Sequence, residues 1–212
     1  MKILIICGPG AAPIDEVRRI TNHSTGKLGI ILSNVFHAQG AEVHCVIGQG
    51  RTCCIPLQTP HVDTFFTTQD LAAILQAKAK RMKFDAVLHA AALSDFELAG
   101  ILDEKMQPLA AKKISSKASR LFLEMRPAPK LLPQLRSLFP KALIVGWKYE
   151  LEGTLETGLA KAFRQIESCQ TDGCVLNGSV VGQGFVFCHP DGQKIKLGEE
   201  ESLAQYLLSL IR

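Results

Sequence analysis

The sequence predicts an α/β protein with a Rossmann-like, doubly wound, mostly parallel sheet, helices on both faces and a small late β-hairpin. Short apolar segments alternate along the chain with longer amphipathic ones, which is the pattern of strands connected by crossover helices. The chain has 212 residues, 47% of them hydrophobic, enough for one domain with a sizeable core. No linker-like composition interrupts it, so residues 1–212 are predicted to form a single domain.

The first half of the chain supplies the most regular pattern. Strands are predicted at residues 2–7, 42–47 and 84–92, and helices at 28–39, which Gly40 ends, and 69–82. The third strand is almost continuously apolar, as expected for a strand buried on both faces. Because the carboxyl ends of parallel strands meet at one edge of the sheet, residues 7–10 and 90–95 should lie together in the binding crevice.

The second half is less regular. Residues 97–119 contain several lysines and few apolar runs, so they are expected to form a mobile excursion. Further elements are predicted as follows: strands at 121–125, 142–147 and 173–176, a short helix at 129–138, longer helices at 154–168 and 199–211, and a hairpin of 184–188 with 194–197.

Composition narrows the function classes. The net charge of +4 suits a small anionic substrate but does not favour nucleic acid, and the 6% aromatic content offers little for stacking on bases. No apolar run is long enough for a signal peptide core or a membrane span. Seven cysteines, an odd number without C-x-x-C spacing, indicate a reducing compartment and hence the cytoplasm. A redox pair of Cys53 and Cys54 is the alternative interpretation.

The segment between the first strand and the first helix predicts an anion site. A glycine turn at residues 8–10 follows the strand, and hydroxyl and glycine residues stand where the helix begins, at Ser24, Thr25, Gly26 and Gly29. The N–H groups of a helix's first turn lack intrahelical acceptors and attract phosphate or carboxylate. Arg18, Asn22 and Lys27 add donors around this position.

Two common phosphate motifs fit this segment poorly. A dinucleotide fingerprint would start at Gly8 and Gly10, but Pro13 stands at its third glycine, and residues 48–50 lack the acid expected after the second strand. A P-loop would need a hydroxyl residue at 28, where the chain has Leu28. An NAD(P)-dependent reductase therefore stays an alternative without a complete motif.

A longer signature covers the same segment. Residues 20–29 read ITNHSTGKLG, and in the same order follow AALSDF at 91–96, KISS at 113–116, PKLL at 129–132, GWK at 146–148 and Asn177. Together these closely resemble the phosphopantothenoylcysteine synthetases over essentially the whole chain. The chain is similar to their stand-alone type, without a decarboxylase domain or a flavin.

The resemblance implies a ligase of coenzyme A biosynthesis. Such enzymes join 4′-phosphopantothenate to L-cysteine through an acyl nucleotidylate, using Mg²⁺ with CTP or ATP, and they are homodimers. The interface is expected at the central irregular segment or at the late hairpin. No carboxylate cluster suggests a dedicated protein metal site.

The resemblance also assigns roles to residues of this chain. Asn22 and Lys113 would be catalytic, Asn22 by holding the acyl group and Lys113 by closing over the triphosphate. The residues expected to bind the nucleotide are Gly8, Ser24, Thr25, Gly26, Lys27, Gly29, Ala92, Asp95, Lys113, Lys130, Trp147 and Lys148. Those expected to bind the acid substrate are Arg18, Asn22 and Asn177.

Simpler roles stay open for several of these residues. Arg18 could instead pair with Asp15 or Glu16, Asp95 could cap a helix, and Trp147 could be a core residue. His23 could act as a general base towards the amine, although the resemblance does not require it.

The chain departs from the family pattern before Asn177. The basic flap expected there is thinned, since Lys161 and Arg164 lie further upstream, and Gly178 replaces a common aspartate. These changes leave CTP and ATP unseparated, and the short chain favours a bacterial enzyme and CTP. A nucleotide-binding paralogue without activity is the non-enzyme alternative.

Overall fold

The computed structural model describes residues 1–109, 112–115 and 119–211. The strands are β1 (Lys2–Cys7), β2 (Ala11–Pro13), β3 (Arg19–Thr21), β4 (Glu42–Gly48), β5 (His61–Phe65), β6 (Ala86–His89), β7 (Phe96–Leu102), β8 (Phe122–Pro127), β9 (Leu143–Tyr149), β10 (Gly173–Asn177), β11 (Phe185–Cys188) and β12 (Lys194–Leu197). The helices are α1 (Lys27–Ala38), α2 (Thr68–Arg81), α3 (Leu135–Leu138), α4 (Leu155–Cys169) and α5 (Glu200–Ile211), with a 3₁₀ turn at Leu132–Gln134.

One eight-stranded sheet organises the chain, in the order β12-β11-β10-β9-β6-β1-β4-β5. The six strands from β10 to β5 are parallel, and β11 and β12 continue the sheet as an antiparallel hairpin. The predicted fold class is therefore confirmed, including the late hairpin.

Helices cover both faces of this sheet, and alternation along β1 shows why. Ile3 and Ile5 pack with α1 and α5, whereas Leu4 and Ile6 pack with α2 and α3, and all four are fully buried. A strand buried on both faces reads as a continuous apolar run, which is the signal that located β1, β4 and β6 in the sequence.

Three short or exposed strands escaped prediction. β2 and β3 have three residues each and pair with one another, and β5 is an edge strand whose first four side chains are exposed. Without an apolar run, such segments carry little sequence signal.

The prediction of an irregular excursion over 97–119 is wrong at its beginning. Residues 96–102 form β7, which pairs antiparallel with β8 in a two-stranded ribbon apart from the main sheet. The partner strand lies about 25 residues away, and a bulge between Leu98 and Gly100 shifts the register, so the local pattern was not informative. Residues 110–111 and 116–118 of that segment lie outside the described residues.

Among the described residues, no helix combines the length and apolarity needed to cross a membrane. The helix predicted over 129–138 is shorter than expected, since Leu132–Gln134 is a 3₁₀ turn and only Leu135–Leu138 is α-helical.

Candidate functional site

The crevice forms where β1 and β6 end side by side. The backbone N–H of Gly10 donates to the carbonyl of Ala92 at 3.0 Å, and the N–H of Ala92 donates to the carbonyl of Gly8 at the same distance. The predicted meeting of residues 7–10 with 90–95 is therefore confirmed.

Helix α1 begins directly over the end of β1. Its N-cap, Gly26, has a φ of 77°, a left-handed conformation that glycine adopts without strain. The N–H of Lys27 donates to Oγ1 of Thr25 at 3.2 Å. A Cβ on Gly29 would lie 2.1 Å from the Cβ of Cys7, so glycine is what lets the helix sit against the strand. The first-turn N–H groups of α1 lack intrahelical acceptors at this crevice, as an anion site requires.

A cavity of about 590 Å³ opens in front of this helix end, and we call it the glycine lobe. It contains most of the residues predicted from the sequence. Those that line it are Gly8, Asn22, Ser24, Thr25, Gly26, Lys27, Gly29, Ala92, Asp95, Trp147, Lys148 and Asn177.

A second cavity of about 640 Å³ lies between the 3₁₀ turn and α4, and we call it the basic lobe. It shares Ala91, Leu93, Asp95, Lys148 and Gln165 with the glycine lobe, so the two form one continuous cleft. Its cationic side chains are Lys130, Lys148, Lys161 and Arg164. The predicted nucleotide residue Lys130 therefore lies in the cleft, but in this lobe.

The sequence did not identify Lys161 and Arg164 as cleft residues. It placed them only as basic residues upstream of the expected flap. Their spacing of three residues puts both on one face of α4, and that signal could have identified them. Lys161 is ion-paired with Glu150, whose carboxylate also lies 3.8 Å from the ammonium of Lys148.

Asn22 has a defined orientation inside the glycine lobe. Its side-chain Nδ2 donates to the carbonyl of Leu93 at 2.9 Å, which ties the signature loop to the segment after β6. His23 lines the same lobe and is exposed.

Lys27 is held at the rim by an acid from the far end of the chain. Its Nζ lies 2.8 Å from Oε1 of Glu200, at the start of α5. The hydrogen bond and charge of Glu200 raise the pKa of Lys27, and the hydrogen bond from Lys27 lowers the pKa of Glu200. Lys27 therefore stays charged, but at rest its charge is balanced.

Asp95 and Trp147, whose roles the sequence left open, both line the cleft. Asp95 forms an ion pair with Lys130 across the junction of the lobes. Trp147 lines the glycine lobe and also packs against the buried core beneath it, so the lining and core interpretations both hold. Its indole Nε1 is buried and has no hydrogen-bond partner among the described residues.

Arg18 is engaged outside the two lobes. Its NH1 lies 2.8 Å from Oδ2 of Asp15 and donates to the carbonyl of Ile114 at 3.2 Å. Burial alone would raise the pKa of Asp15, but the N–H groups of Ile114, Val17 and Arg18 outweigh it and hold that pKa below its ordinary value. Of the two alternatives for Arg18, the structure shows the pair with Asp15.

Lys113 lies beside this contact and not in the cleft. It is exposed, and within the described ranges it is absent from the lining of both lobes. Only a rearrangement of its segment would bring its ammonium over a bound nucleotide.

Buried titratable groups near the cleft are tuned to stay neutral. Burial lowers the pKa of His89, at the wall of the basic lobe, to about 4, and its Nε2 has no partner in the described part of the chain. Two effects raise the pKa of Cys7 well above its ordinary value: the larger is its hydrogen bond with Cys45, and the smaller is burial. The Cys7 thiol therefore stays protonated, which does not suit it to nucleophilic attack.

Among the residues that the structure describes, the cleft holds neither a disulfide nor a cluster of metal ligands. All seven cysteines are free, Cys53 and Cys54 included, so these two form no disulfide here. In the described ranges the one group of three or more potential metal ligands is Glu42, His44 and His61, away from both lobes.

Sequence comparisons relate the chain to coenzyme A biosynthesis proteins. Residues 1–206 match the family model described as the DNA/pantothenate metabolism flavoprotein C-terminal domain. The bifunctional protein CoaBC of Thermococcus kodakarensis is 28% identical over 83% of this chain and 41% of its own length. CoaBC of Escherichia coli K12 is 26% identical over 100% of this chain and 51% of its own length. The chain thus spans about half the length of the curated relatives it matches.

Solved structures share the fold. A DNA/pantothenate metabolism flavoprotein from Streptococcus pneumoniae superimposes with a TM-score of 0.87 at 24% identity, covering 100% of this chain and 98% of that one. A CoaBC C-terminal domain gives 0.76 at 23% identity, covering 99% and 93%. A Cab2 H337A mutant, solved in complex with phosphopantothenate-cysteine, gives 0.75 at 20% identity, covering 99% and 86%. Because the family model spans nearly the whole chain, this protein belongs to the DNA/pantothenate metabolism flavoprotein C-terminal domain family.

Proposed function

We propose that the protein is a cytoplasmic phosphopantothenate–cysteine ligase that uses CTP, with ATP as the alternative nucleotide. The membership of its family supports this reaction class, and the solved complex of a structural neighbour with phosphopantothenate-cysteine supports the substrate class. The cleft supports it through the helix N-terminus and the cationic side chains described above, which suit two anionic substrates.

The proposed reaction has two steps. The carboxylate oxygen of 4′-phosphopantothenate attacks the α-phosphorus of the nucleotide, an acyl nucleotidylate forms, and pyrophosphate leaves. The amine of cysteine then attacks the acyl carbon, the amide bond forms, and the nucleoside monophosphate leaves while the amine loses its proton. Both steps bring anions together, so fixed positive charge and correct positioning supply most of the catalysis.

The observation that carries this proposal is the position of Asn22 in front of the α1 N-terminus. The first-turn N–H groups are suited to phosphate oxygens, and the Asn22 amide lies in the same cavity. A neutral amide can donate to the oxygen of an acyl group without changing its protonation state. Asn22 would leave its bond with Leu93, or share it, when the acyl group arrives.

The basic lobe gives the nucleotide a second set of contacts. Lys130, Lys148, Lys161 and Arg164 surround a cavity continuous with the glycine lobe, and each can contact phosphate as a cation. Since no carboxylate cluster stands in either lobe among the described residues, Mg²⁺ would enter on the phosphates of the nucleotide as part of the substrate.

We further propose that the protein is a homodimer joined through the β7–β8 ribbon. This ribbon stands apart from the main sheet and exposes large apolar side chains, which favours pairing with a second copy. They are Phe96, Leu121, Phe122 and Leu123. The late hairpin is a weaker candidate because β12 exposes Lys194 and Lys196.

A direct test measures pyrophosphate release by the purified protein with Mg²⁺, phosphopantothenate and cysteine, with CTP and ATP in separate reactions. Release that requires phosphopantothenate establishes the ligase and identifies the nucleotide. A folded protein that binds nucleotide but releases no pyrophosphate with either one would instead be the inactive paralogue.

The variant Asn22→Ala tests the residue that carries the proposal. Loss of one donor to a developing oxyanion reduces turnover by about 10²–10³-fold, so amide formation should fall by that factor. Nucleotide binding should persist, and the fluorescence of Trp147, the single tryptophan, reports it from inside the lobe. Gln76→Ala, at an exposed position of α2, is the matched control. Equal activity of Asn22→Ala and Gln76→Ala would contradict the assigned role.

A further inference from the structure

We propose that Glu42, His44 and His61 form a binding site for a divalent transition metal of the zinc class at the amino ends of β4 and β5. The site is independent of the proposed ligase cleft, because the cleft lies at the opposite edge of the sheet, at the carboxyl ends of the neighbouring parallel strands β1, β6, β9 and β10. Imidazole and carboxylate are ligands that zinc and its neighbours in the first transition row prefer.

The sheet itself brings the three side chains together. Glu42 and His44 are two residues apart on β4, so they lie on the same face of the sheet. His61 opens β5 and is the direct register partner of His44, so it shares that face. One ligand atom from each residue lies within 4.8 Å of the other two.

Packing holds one ligand while the other two can adjust. His44 is only 4% exposed and meets the ring of Phe84 edge-on, with ring centroids 5.4 Å apart. The rings of His44 and His61 are parallel within 8° at 4.4 Å, and Nε2 of His44 lies 2.9 Å from Oε1 of Glu42. Bonds of about 2.0–2.1 Å around tetrahedral zinc place adjacent ligand atoms roughly 3.3 Å apart. Small rotations of the exposed Glu42 and His61 side chains would close the difference.

The surrounding charges leave room for a cation. Lys78 is paired with Asp63 at 2.6 Å, so its charge is balanced. Lys2 is paired with Glu42 at 3.0 Å and is the cation that the metal must displace. Because the Lys2 side chain is one-third exposed, it can move into water. An open cavity of about 430 Å³ beside both histidines, with Arg81 at its rim, gives access for the ion and for a water as fourth ligand.

A metal here would fasten the edge of the sheet. β5 is the terminal strand, and it is joined to the sheet through β4 only. An ion held by residues of both strands stabilises the folded state in proportion to the logarithm of its concentration over the Kd. Its expected role is structural.

The test uses Co²⁺ and Zn²⁺ with the full chain carrying Cys53→Ser and Cys54→Ser, which removes the two thiols that are not buried. Co²⁺ should give a visible spectrum of a nitrogen and oxygen site without a thiolate charge-transfer band. Zn²⁺ at ten times its Kd should raise Tm by a few degrees. His61→Ala, at an exposed position, should weaken binding of both ions at least tenfold and abolish the shift. His37→Ala, near the end of α1, is the matched control and should retain both.

Equal binding by His61→Ala and His37→Ala, or the absence of saturable binding up to millimolar metal, would overturn the proposal. Glu42→Gln gives a second reading, because it keeps the side-chain shape and removes the charge, and it should weaken binding as well. None of these readouts depends on ligase activity, so failure of this proposal and failure of the proposed function are separable.

Discussion

The glycine lobe and the basic lobe share a wall, yet they are built in different ways. Half of the residues that line the glycine lobe come from the segment between the end of β1 and the start of α1, which presents the N–H groups of the first helical turn and the Asn22 amide. The basic lobe is assembled from the segment around Lys130, the end of β9 and α4, and its donors are long side chains. The first is therefore rigid and fixed by packing, whereas the second is adjustable and tuned by charge.

Disturbing the close packing of α1 against β1 beneath the glycine lobe should lower the free energy of unfolding. In Gly29→Ala the new Cβ would lie 2.1 Å from Cys7, between a fully packed helix and strand, so backbone must shift. Overpacking of this kind destabilises by about 3 kcal/mol. Urea unfolding of the two proteins measures the difference.

Gly198→Ala is the control for that substitution. An added Cβ at Gly198 meets nothing within 4 Å, and no positive φ is recorded there. Its free energy of unfolding should stay within about 0.5 kcal/mol of the parent. If the two alanine variants were equally stable, the close approach of α1 to β1 would not be a constraint on the lobe.

The basic lobe should instead make the stability of the protein depend on pH, through the buried His89 at its wall. His89 at its wall has a pKa of about 4 when folded, because burial disfavours the imidazolium, against 6.5 for the ordinary side chain. Between these values the unfolded chain binds the proton and the folded chain does not, so this stabilisation is present above about pH 6.5. It is lost as pH falls towards 4, by roughly 3 kcal/mol in total.

The measurement compares unfolding free energies of the parent and His89→Gln across that window. The parent should lose stability more steeply on acidification, and the difference between the two curves should approach the titration of one proton. His37→Ala is the control and should follow the parent. Parallel curves for the parent and His89→Gln would show that His89 is protonated without cost in the folded protein.

The same contrast explains what the sequence could and could not predict. Twelve of the predicted residues line the glycine lobe, and seven of them belong to one local pattern of an apolar strand, a signature loop and a helix start. The lobe also needs the buried parallel strands beneath it, and long apolar runs mark those strands in the sequence. Lys161 and Arg164 were not identified as cleft residues, because their position depends on how α4 packs against β9 and β10.

Predictions outside the lobes failed or stayed open for related reasons. β5 and β7 expose most of their side chains, so no apolar periodicity marks them. The alternation at 121–125 did predict β8, but not its pairing with β7. Arg18 had two acceptable partners, and only the fold shows that Asp15 and the carbonyl of Ile114 engage it. Lys113 lies outside the cleft in this conformation, and its catalytic role stays a prediction about a rearranged segment.

The smallest expected effect concerns the wall that the two lobes share. Lys148 lines both lobes and lies 3.8 Å from Glu150, so its charge is partly balanced at rest. Removing it in Lys148→Gln should raise the Kd for CTP or ATP about tenfold, which is about 1.4 kcal/mol. The effect should shrink at high salt, since screened cations contribute less.

Titration followed by Trp147 fluorescence measures the change in Kd, with the exposed Lys83→Gln as the matched control. An equal Kd for both variants would mean that the nucleotide is held by the backbone donors of the glycine lobe without help from this wall.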